Sequence, residues 1–490
     1  MKQTAAFLLL LAISGSLTFA QVESLPPPVI HGNSFEIISN SRYSSHSGFT
    51  SSLSDTVLSN VLWAMSRVPS FGSFREIYVA TPNNVYLYDS AAHVLNVHLA
   101  GNYRYNSNSA FEVGIAVERN EEAGLAVQAG LLAGDAFWSR GGGIVTSCPM
   151  AFAANYANSN WSPAHTINMV DVFGRMSVTG LTDSCVAVSS DSTLPRPVTD
   201  GSDTFELLAA GLGMDSLFDP AMLPIADVSQ LLWAGYGVTP HMPTGKRGLT
   251  VASAIANYYL TQRIYVVTDT AVMRYHNRLP PGTNMSTSDH RLQLVTSGDR
   301  RDSLRAACAR LPATAPLYVV VCYTDTTTAW AVLETGFAAW QYMMEAEALG
   351  LGGCLTAPLT PDERMATGNA LGLPGSEYPI IVFSTGGLIT GVAESPGPQR
   401  ERLEVARTKD GARLSIELAK AGPVRLAIYD LAGRPVRNWG EVKLPTGVSS
   451  IEWDGSNDNG VSLPSGPYFC RLAIGRAVPS VLTARVDVAR

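Results

Sequence analysis

The chain repeats itself, and that constrains its fold more than any other feature. Val61, Leu62, Trp63 and Ala64 recur as Leu231, Leu232, Trp233 and Ala234, 170 positions later. Each run is followed by a strand-like stretch, residues 76–80 and 263–267, and then by another, residues 85–88 and 271–275. Farther on, Glu122, Gly124 and Ala126 match Glu334, Gly336 and Ala338 at an offset of 212, and the same offset sets Gly141 on Gly353. The second copy therefore holds 42 more residues between these landmarks. Self-similarity at a fixed, long offset indicates one structural unit used twice. Two copies of one α+β fold are expected, over residues 21–200 and 201–393.

The ends read differently. Lys2 gives a positive start, residues 5–13 are apolar but too short to span a bilayer, and residues 14–20 are small and polar, with Thr18 and Ala20 placed for cleavage. Residues 1–20 are thus expected to be a secretory signal peptide, and the mature protein to be secreted or held at the cell surface without a transmembrane segment. The roughly 470 residues that remain suit about three domains. A net charge of −7 without a basic run disfavours nucleic acid. Cys148, Cys185, Cys308, Cys322, Cys354 and Cys470 show no C-x-x-C pair and no Cys/His metal spacing, so no metal is expected. Export permits disulfides, and Cys148 with Cys185 is one conceivable pair.

Ser395, Pro396, Gly397 and Pro398 mark a linker, residues 394–406. Beyond it, over residues 407–490, alternating runs at 413–418, 424–429, 449–453 and 468–474 are separated by turns, the spacing of a small β-sandwich. Residues 428–437 (IYDLAGRPVR), 453–460 (WDGSNDNG) and 465–472 (SGPYFCRL) resemble the Ig-like domain of flagellar hook-capping proteins. The same pattern ends many proteins exported by type IX secretion, so the resemblance implies a sorting domain and the secretion machinery as a partner. Residues 484–490 fit the basic end of that pattern only loosely. Asp454, Ser456 and Asp458 suggest a calcium loop, but the glycine falls one place late at Gly460 and Ser465 stands where a Glu belongs, so a turn is expected.

Four segments of the second copy, in order, resemble the FMN-dependent nitroreductase superfamily, nearest its thiazoline/oxazoline dehydrogenase branch. They are LLWAGYGV (231–238), GKRGLTVASAIANYYLTQRIYVV (245–267), ETGFAAWQYMMEAEALGLGGC (334–354) and ALGLPGSEYPIIVFSTG (370–386). The resemblance implies two tandem nitroreductase-like domains, an antiparallel-rich sheet flanked by helices in each. It also implies FMN as cofactor and hydride transfer through the flavin N5 to an unknown small-molecule substrate. Lys246 and Arg247 are candidates for the flavin phosphate, since a charged pair supplies charge-assisted donors. On their own they read equally as a solvated turn. Ser253 matches the family serine near the flavin, or is a helix N-cap. Gly350, Gly352 and Gly353 follow an all-round apolar helix. Their backbone can approach a ligand closely, or cap the helix before a strand; both roles together are expected. No acid or base is assigned: no nucleophile elbow or zinc motif occurs, and His241 stands alone.

The first copy departs from this pattern. Residues 67–75 lack the Lys-Arg pair, and Trp138 and Arg140 interrupt the motif before Gly141, Gly142 and Gly143. One flavin site per chain is expected, with the two copies packed as an intramolecular pseudo-dimer. The competing expectation is a flavin-free pseudoenzyme acting as a surface binding or structural module, since export separates the chain from cytoplasmic NAD(P)H.

Overall fold

The computed structural model describes the chain outside residues 1–21, 31–32, 43, 46, 50–51, 138–143, 177–193, 240–247, 253–257, 279–287, 325–328, 389–401, 409–410, 419–420, 431–434, 465, 475–479 and 489–490. The signal peptide, the linker, Cys185, His241, Lys246, Arg247 and Ser253 fall wholly or mainly outside the described residues. The chain divides into two compact units, residues 1–389 and 390–490.

The larger unit has two halves. The first contains β1 (Val22–Ser24), α1 (Phe35–Ser41), α2 (Asp55–Ser66), β2 (Arg75–Ala80), β3 (Asn84–Asp89), β4 (Val94–Ala100), β5 (Phe111–Val117), α3 (Asn120–Asp135), β6 (Ile144–Met150), α4 (Ala151–Asn160) and β7 (Met169–Met176). The second contains α5 (Phe205–Gly211), α6 (Ile225–Tyr236), β8 (Val238–Thr239), β9 (Gly248–Leu249), β10 (Ile264–Val267), β11 (Ala271–Arg278), β12 (Ser288–Ser297), α7 (Arg301–Ala307), β13 (Leu317–Tyr323), α8 (Ala329–Ala348), β14 (Leu351–Thr356), α9 (Pro361–Leu371) and β15 (Tyr378–Gly387).

The sheet orders are β1-β4-β3-β2-β5-β7-β6 and β12-β11-β10-β13-β15-β14. Apart from β1, the second reproduces the first strand for strand, and every pair in both is antiparallel. Matching their registers distributes the 42 extra residues over four connections: α6 to β10, β11 to β12, β12 to β13 (where α7 lies), and β13 to α8. The molecule is therefore α+β, with two tandem sheet-and-helix domains of matching strand order before a small all-β unit.

The halves share one core. Helices α3 and α8 are buried nearly throughout, as helices apolar on all sides must be. They cross where Gly124 meets Leu333 and Gly336, and Gly336 meets Glu121 and Gly124. A second reciprocal contact joins the starts of α1 and α5: the Phe35 amide donates to the Asp203 carbonyl (3.0 Å) and the Phe205 amide to the Asn33 carbonyl (3.3 Å). Contacts in which each partner plays the other's role are the mark of an approximate twofold relation.

Both halves also contain the same histidine clasp. Ser59 Oγ donates to the Pro26 carbonyl (2.6 Å) and lies 2.8 Å from His93 Nε2, while Tyr88 OH meets His93 Nδ1 at 2.7 Å. In the second half Ser229 Oγ donates to the Pro195 carbonyl (2.6 Å) and lies 2.7 Å from His290 Nε2, with Tyr275 OH at 2.9 Å from His290 Nδ1. A neutral ring protonated on Nε2 satisfies every partner. Both histidines adopt left-handed backbone, φ 56° and 42°, a costly conformation for a residue with a Cβ. The clasp pins the proline segment that opens each half to α2 or α6 and to the sheet.

This clasp predicts acid sensitivity. His290 is 1% exposed, and burial pushes its imidazole from 6.5 down to about 4. On acidification the unfolded chain takes up the proton first. The stability contributed by the neutral ring is thus complete above about pH 6.5 and lost as pH falls towards 4. The advantage of the wild type over a His290→Asn variant should shrink by about 3 kcal/mol between pH 7 and pH 4, read from urea unfolding at each pH. A difference independent of pH would show that the ring titrates alike in the folded and the unfolded chain.

The smaller unit contains β16 (Arg402–Arg407), β17 (Ala412–Leu418), β18 (Gly422–Tyr429), β19 (Pro435–Leu444), β20 (Gly447–Trp453), β21 (Gly466–Ile474) and β22 (Ser480–Val488). A three-stranded sheet, β16-β17-β20, faces a four-stranded sheet, β19-β18-β21-β22, over a core that includes Leu414, Ile416, Leu426, Ile428, Trp453 and Leu472. Residues 454–460 form a turn, in which Asp454 Oδ1 accepts from the Ser456 amide (3.0 Å).

Candidate functional site

Helix α6 is buried from Val228 to Tyr236, and the Gly237 amide caps it by donating to the Trp233 carbonyl (2.6 Å). The chain then forms a minimal ladder, Val238 with Leu249 and Thr239 with Gly248. The intervening loop carries Lys246 and Arg247 and lies outside the described residues. Its base is fixed and dry: Val238, Thr239 and Leu249 are fully buried, and Thr239 Oγ1 has no hydrogen-bond partner among the described residues.

Residues 249–252, which lead into Ser253, are clamped from both halves. Arg42 donates from Nη2 to the carbonyls of Leu249 (3.1 Å) and Val251 (2.8 Å), and from Nη1 to Ser44 Oγ (2.6 Å). Gln128 of α3 donates to the Thr250 carbonyl (3.2 Å) and accepts from the Ala252 amide (3.2 Å). Gln341 of α8 donates to the same Thr250 carbonyl (2.6 Å). The Thr250 amide is held by the Gly237 carbonyl (3.0 Å). These polar groups are buried and paired, an arrangement that rigidifies a segment.

Arg42 is only 4% exposed. Burial works against its charge, while Tyr258 and Asp135 support it. Asp135 and Asp171 lie near it, and burial drives both carboxyls well above the usual carboxylate range. The Cys148 thiol is pushed up to about 12 by burial first and Asp171 second, which leaves it unreactive at neutral pH. By sheet register Phe383 takes the place of Asp171 in the second half, so this charged nest belongs to the first half.

The glycine group is not an open turn. Gly350 (φ 68°) caps α8, its amide donating to the Glu347 carbonyl (3.0 Å), and a side chain there would meet open space. Gly352 and Gly353 lie inside β14, paired with Gly386 and Thr385 of β15. A Cβ at Gly352 would stand 2.6 Å from Leu388 and 2.9 Å from Phe218, and one at Gly353 would stand 3.0 Å from Phe383. The Gly353 amide is taken by Asp215 Oδ2 (3.2 Å). Packing by their own chain is what requires these two glycines, and Gly350 alone keeps an open face. Gln341 precedes Gly350 by nine residues, roughly 13 Å of helix, so the glycines stand away from the Thr250 clamp.

Sequence reading missed Arg42, Gln128 and Gln341. The two glutamines carried a signal: an uncharged polar residue within a helix apolar all round must be buried and must find a partner. Arg42 carried none. Among the described residues, no three His, Cys, Asp or Glu side chains are grouped to hold a metal ion, and no helix is long and apolar enough to cross a membrane.

No curated protein matches the chain. Among solved structures, an Anabaena variabilis protein assigned as a nitroreductase aligns over 72% of this chain and 99% of its own, at 10% identity and a TM-score of 0.49. An FMN-dependent nitroreductase of Clostridium difficile aligns over 38% and 89%, at 13% identity and a TM-score of 0.27. A chain of the Escherichia coli microcin synthetase complex aligns over 37% and 72%, at 16% identity and a TM-score of 0.28. Residues 216–387 match the nitroreductase family model and residues 404–474 the FlgD Ig-like domain model: the second half of the larger unit is similar to the nitroreductase family, and the smaller unit to the FlgD Ig-like domain.

Proposed function

We propose that the chain is an exported FMN-dependent oxidoreductase of nitroreductase type, acting on a small molecule. The observation that carries this reading is the clamp on residues 249–252. Inside the family-matched region, both halves spend buried polar groups on fixing one short segment, at the base of the loop that bears Lys246 and Arg247.

The donor chemistry at that base fits the cofactor. Two adjacent cations suit a phosphate, and Thr239 Oγ1 is a buried hydroxyl with hydrogen-bonding capacity to spare. Lys246 and Arg247 would hold the phosphate, Ser253 and the open face of Gly350 would border the ring, and Gly352 and Gly353 would seat the strand behind it. When bound, the flavin supplies hydride acceptance and return at N5, taking two electrons and a proton from a donor and passing them to an acceptor. The chain's part is positioning. Arg42, Gln128 and Gln341 hold the peptide groups of residues 249–252 rigid. Burial of Val238, Leu249, Val251 and Ala252 keeps water from its base. Delivery to the cell surface would rest on the N-terminal signal peptide and on the Ig-like domain as a sorting element.

Titrating the purified protein with FMN, followed by flavin absorbance, should give about one flavin per chain. Arg247→Ala should weaken FMN by roughly 1.5–3 kcal/mol, the scale of a hydrogen bond to a charged group, and leave riboflavin binding unchanged. Absence of binding at excess FMN would favour the flavin-free surface module. Two flavins per chain would give the first half a site of its own. Equal losses for FMN and riboflavin would mean that Arg247 acts through folding.

A further inference from the structure

The smaller unit has a cleft of about 410 Å³ between the rims of its two sheets. One rim supplies Arg437 and Trp439 from β19, and the other supplies Glu452 and Trp453 from β20, with Asp454 just beyond. The volume lies within the range of roughly 300–1,000 Å³ typical of small-molecule sites.

The backbone is built to place these groups. β19 is an edge strand, and its pairing with β18 slips between Leu426–Gly440 and Ala427–Asn438, leaving Trp439 as the extra residue of a β-bulge. Gly440 takes φ 67°, with open space where a side chain would stand. A bulge of this kind re-aims a side chain; here the residue concerned is a tryptophan bordering the cleft. On the far side Gly411 lets the turn before β17 close on β20, since a Cβ there would fall 1.9 Å from the Trp453 carbonyl oxygen. Arg437 stands over the Trp439 ring at 5.4 Å, so guanidinium and indole line the cleft as one unit.

The charges of the cleft are already answered. Glu452 is paired with Arg413 at 2.6 Å, Arg437 lies 4.0 Å from Asp458, and Asp454 accepts from Ser456. An anionic ligand would find the guanidiniums of Arg413 and Arg437 already paired. A neutral ligand with a flat apolar face and a rim of hydroxyls would match a broad indole bordered by planar carboxylates and a guanidinium, each able to engage a vicinal pair of hydroxyls. A pyranose ring with equatorial hydroxyls has that form. We propose that this cleft is a carbohydrate site that takes a neutral pyranose unit, with Trp439 as stacking platform and Glu452, Asp454 and Arg437 as hydroxyl partners.

The test uses the full chain and three neutral probes, cellotriose, maltotriose and triacetylchitotriose, with trigalacturonate as the charged control, in titration calorimetry. At least one neutral probe should bind saturably with Kd at or below about 1 mM. Trp439→Ala, and separately Glu452→Ala, should weaken it at least tenfold. Trp439 packs partly on the core, so Glu452→Ala keeps the test decisive if the first variant unfolds: Glu452 is half exposed and pairs at the surface, where a lost ion pair costs the fold little. The proposal is overturned if no neutral probe binds, if trigalacturonate binds more tightly than all three, or if binding survives the Glu452 substitution unchanged.

Discussion

Gly336→Ala should destabilise the larger unit by about 3 kcal/mol or more, at or above the upper end of ordinary overpacking. A Cβ at this position would stand 2.2 Å from the Glu121 carbonyl oxygen, 2.8 Å from the Leu125 nitrogen and 2.9 Å from the Gly124 Cα. All three are backbone atoms of α3, so no side chain can rotate away and the helices themselves must separate. Helix propensity opposes this, since alanine is favoured over glycine in a helix interior by up to about 1 kcal/mol. The sign of the measured change therefore decides which effect wins. Gly124→Ala should behave alike, its Cβ falling 2.0 Å from the Leu333 carbonyl oxygen. Because the two glycines share one contact, the double variant should cost less than the two single costs added together. Unfolding by urea measures all three. An unchanged or raised midpoint for Gly336→Ala would mean that the helices do not approach this closely in solution.

That crossing shows how far the sequence carries. The motif shared by Glu122 and Glu334 falls in both core helices, of which only the second was read as a helix, and the repeated tryptophan motif falls in α2 and α6. Their offsets differ because insertions went into connections, which tolerate them, while strand order was kept. In the smaller unit the alternating runs found β17, β18, β20 and β21. They missed β16, β19 and β22, three of the four edge strands; along β19 no position is fully buried, which blurs the alternation. Leu25, Pro26, Pro28 and Val29 recur as Leu194, Pro195, Pro197 and Val198, so the repeated pattern of the second half starts before residue 201. The function of that segment becomes visible only in the clasp, where Pro26 and Pro195 meet histidines far along the chain. The clamp on residues 249–252 was hidden for the same reason: its donors come from α3, α8 and the segment after α1, and proximity in the fold has no local signature. The packing role of the glycines after α8 was not legible because one spelling serves two needs. An open turn and a strand packed under Phe218, Leu388 and Phe383 both demand the absence of a side chain.

Removing the Glu122 carboxylate should cost about 3–5 kcal/mol, the scale for leaving a buried charge without its partner. Glu122 is 0% exposed at its side chain and Arg75 is 16% exposed, and Arg75 Nη2 lies 2.7 Å from Glu122 Oε1. Arg75 Nε also donates to that oxygen (2.8 Å), and the Phe71 amide donates to Oε2 (2.6 Å). The same guanidinium donates to the carbonyls of Ser66, Val68 and Pro69, each at 2.9 Å. The pair therefore ties the end of α2, the turn after it and the start of β2 to the core helix α3. In the second half the matching Glu334 accepts instead from Tyr236 OH, so the acid is kept while its partner changes. Glu122→Ala leaves the Phe71 amide and Arg75 short of an acceptor in a dry site. Glu122→Gln keeps the shape and one acceptor, and should cost less, about 1.5–3 kcal/mol. Replacing both members, Glu122→Leu with Arg75→Met, should recover only part of the loss: no buried charge remains, but the Phe71 amide and the carbonyls of Ser66, Val68 and Pro69 lose their partners. A urea-unfolding cycle over these variants measures each cost. A loss below about 1 kcal/mol for Glu122→Ala would place this pair with exposed ion pairs such as Arg413–Glu452, and would show that water reaches the junction between α2 and α3.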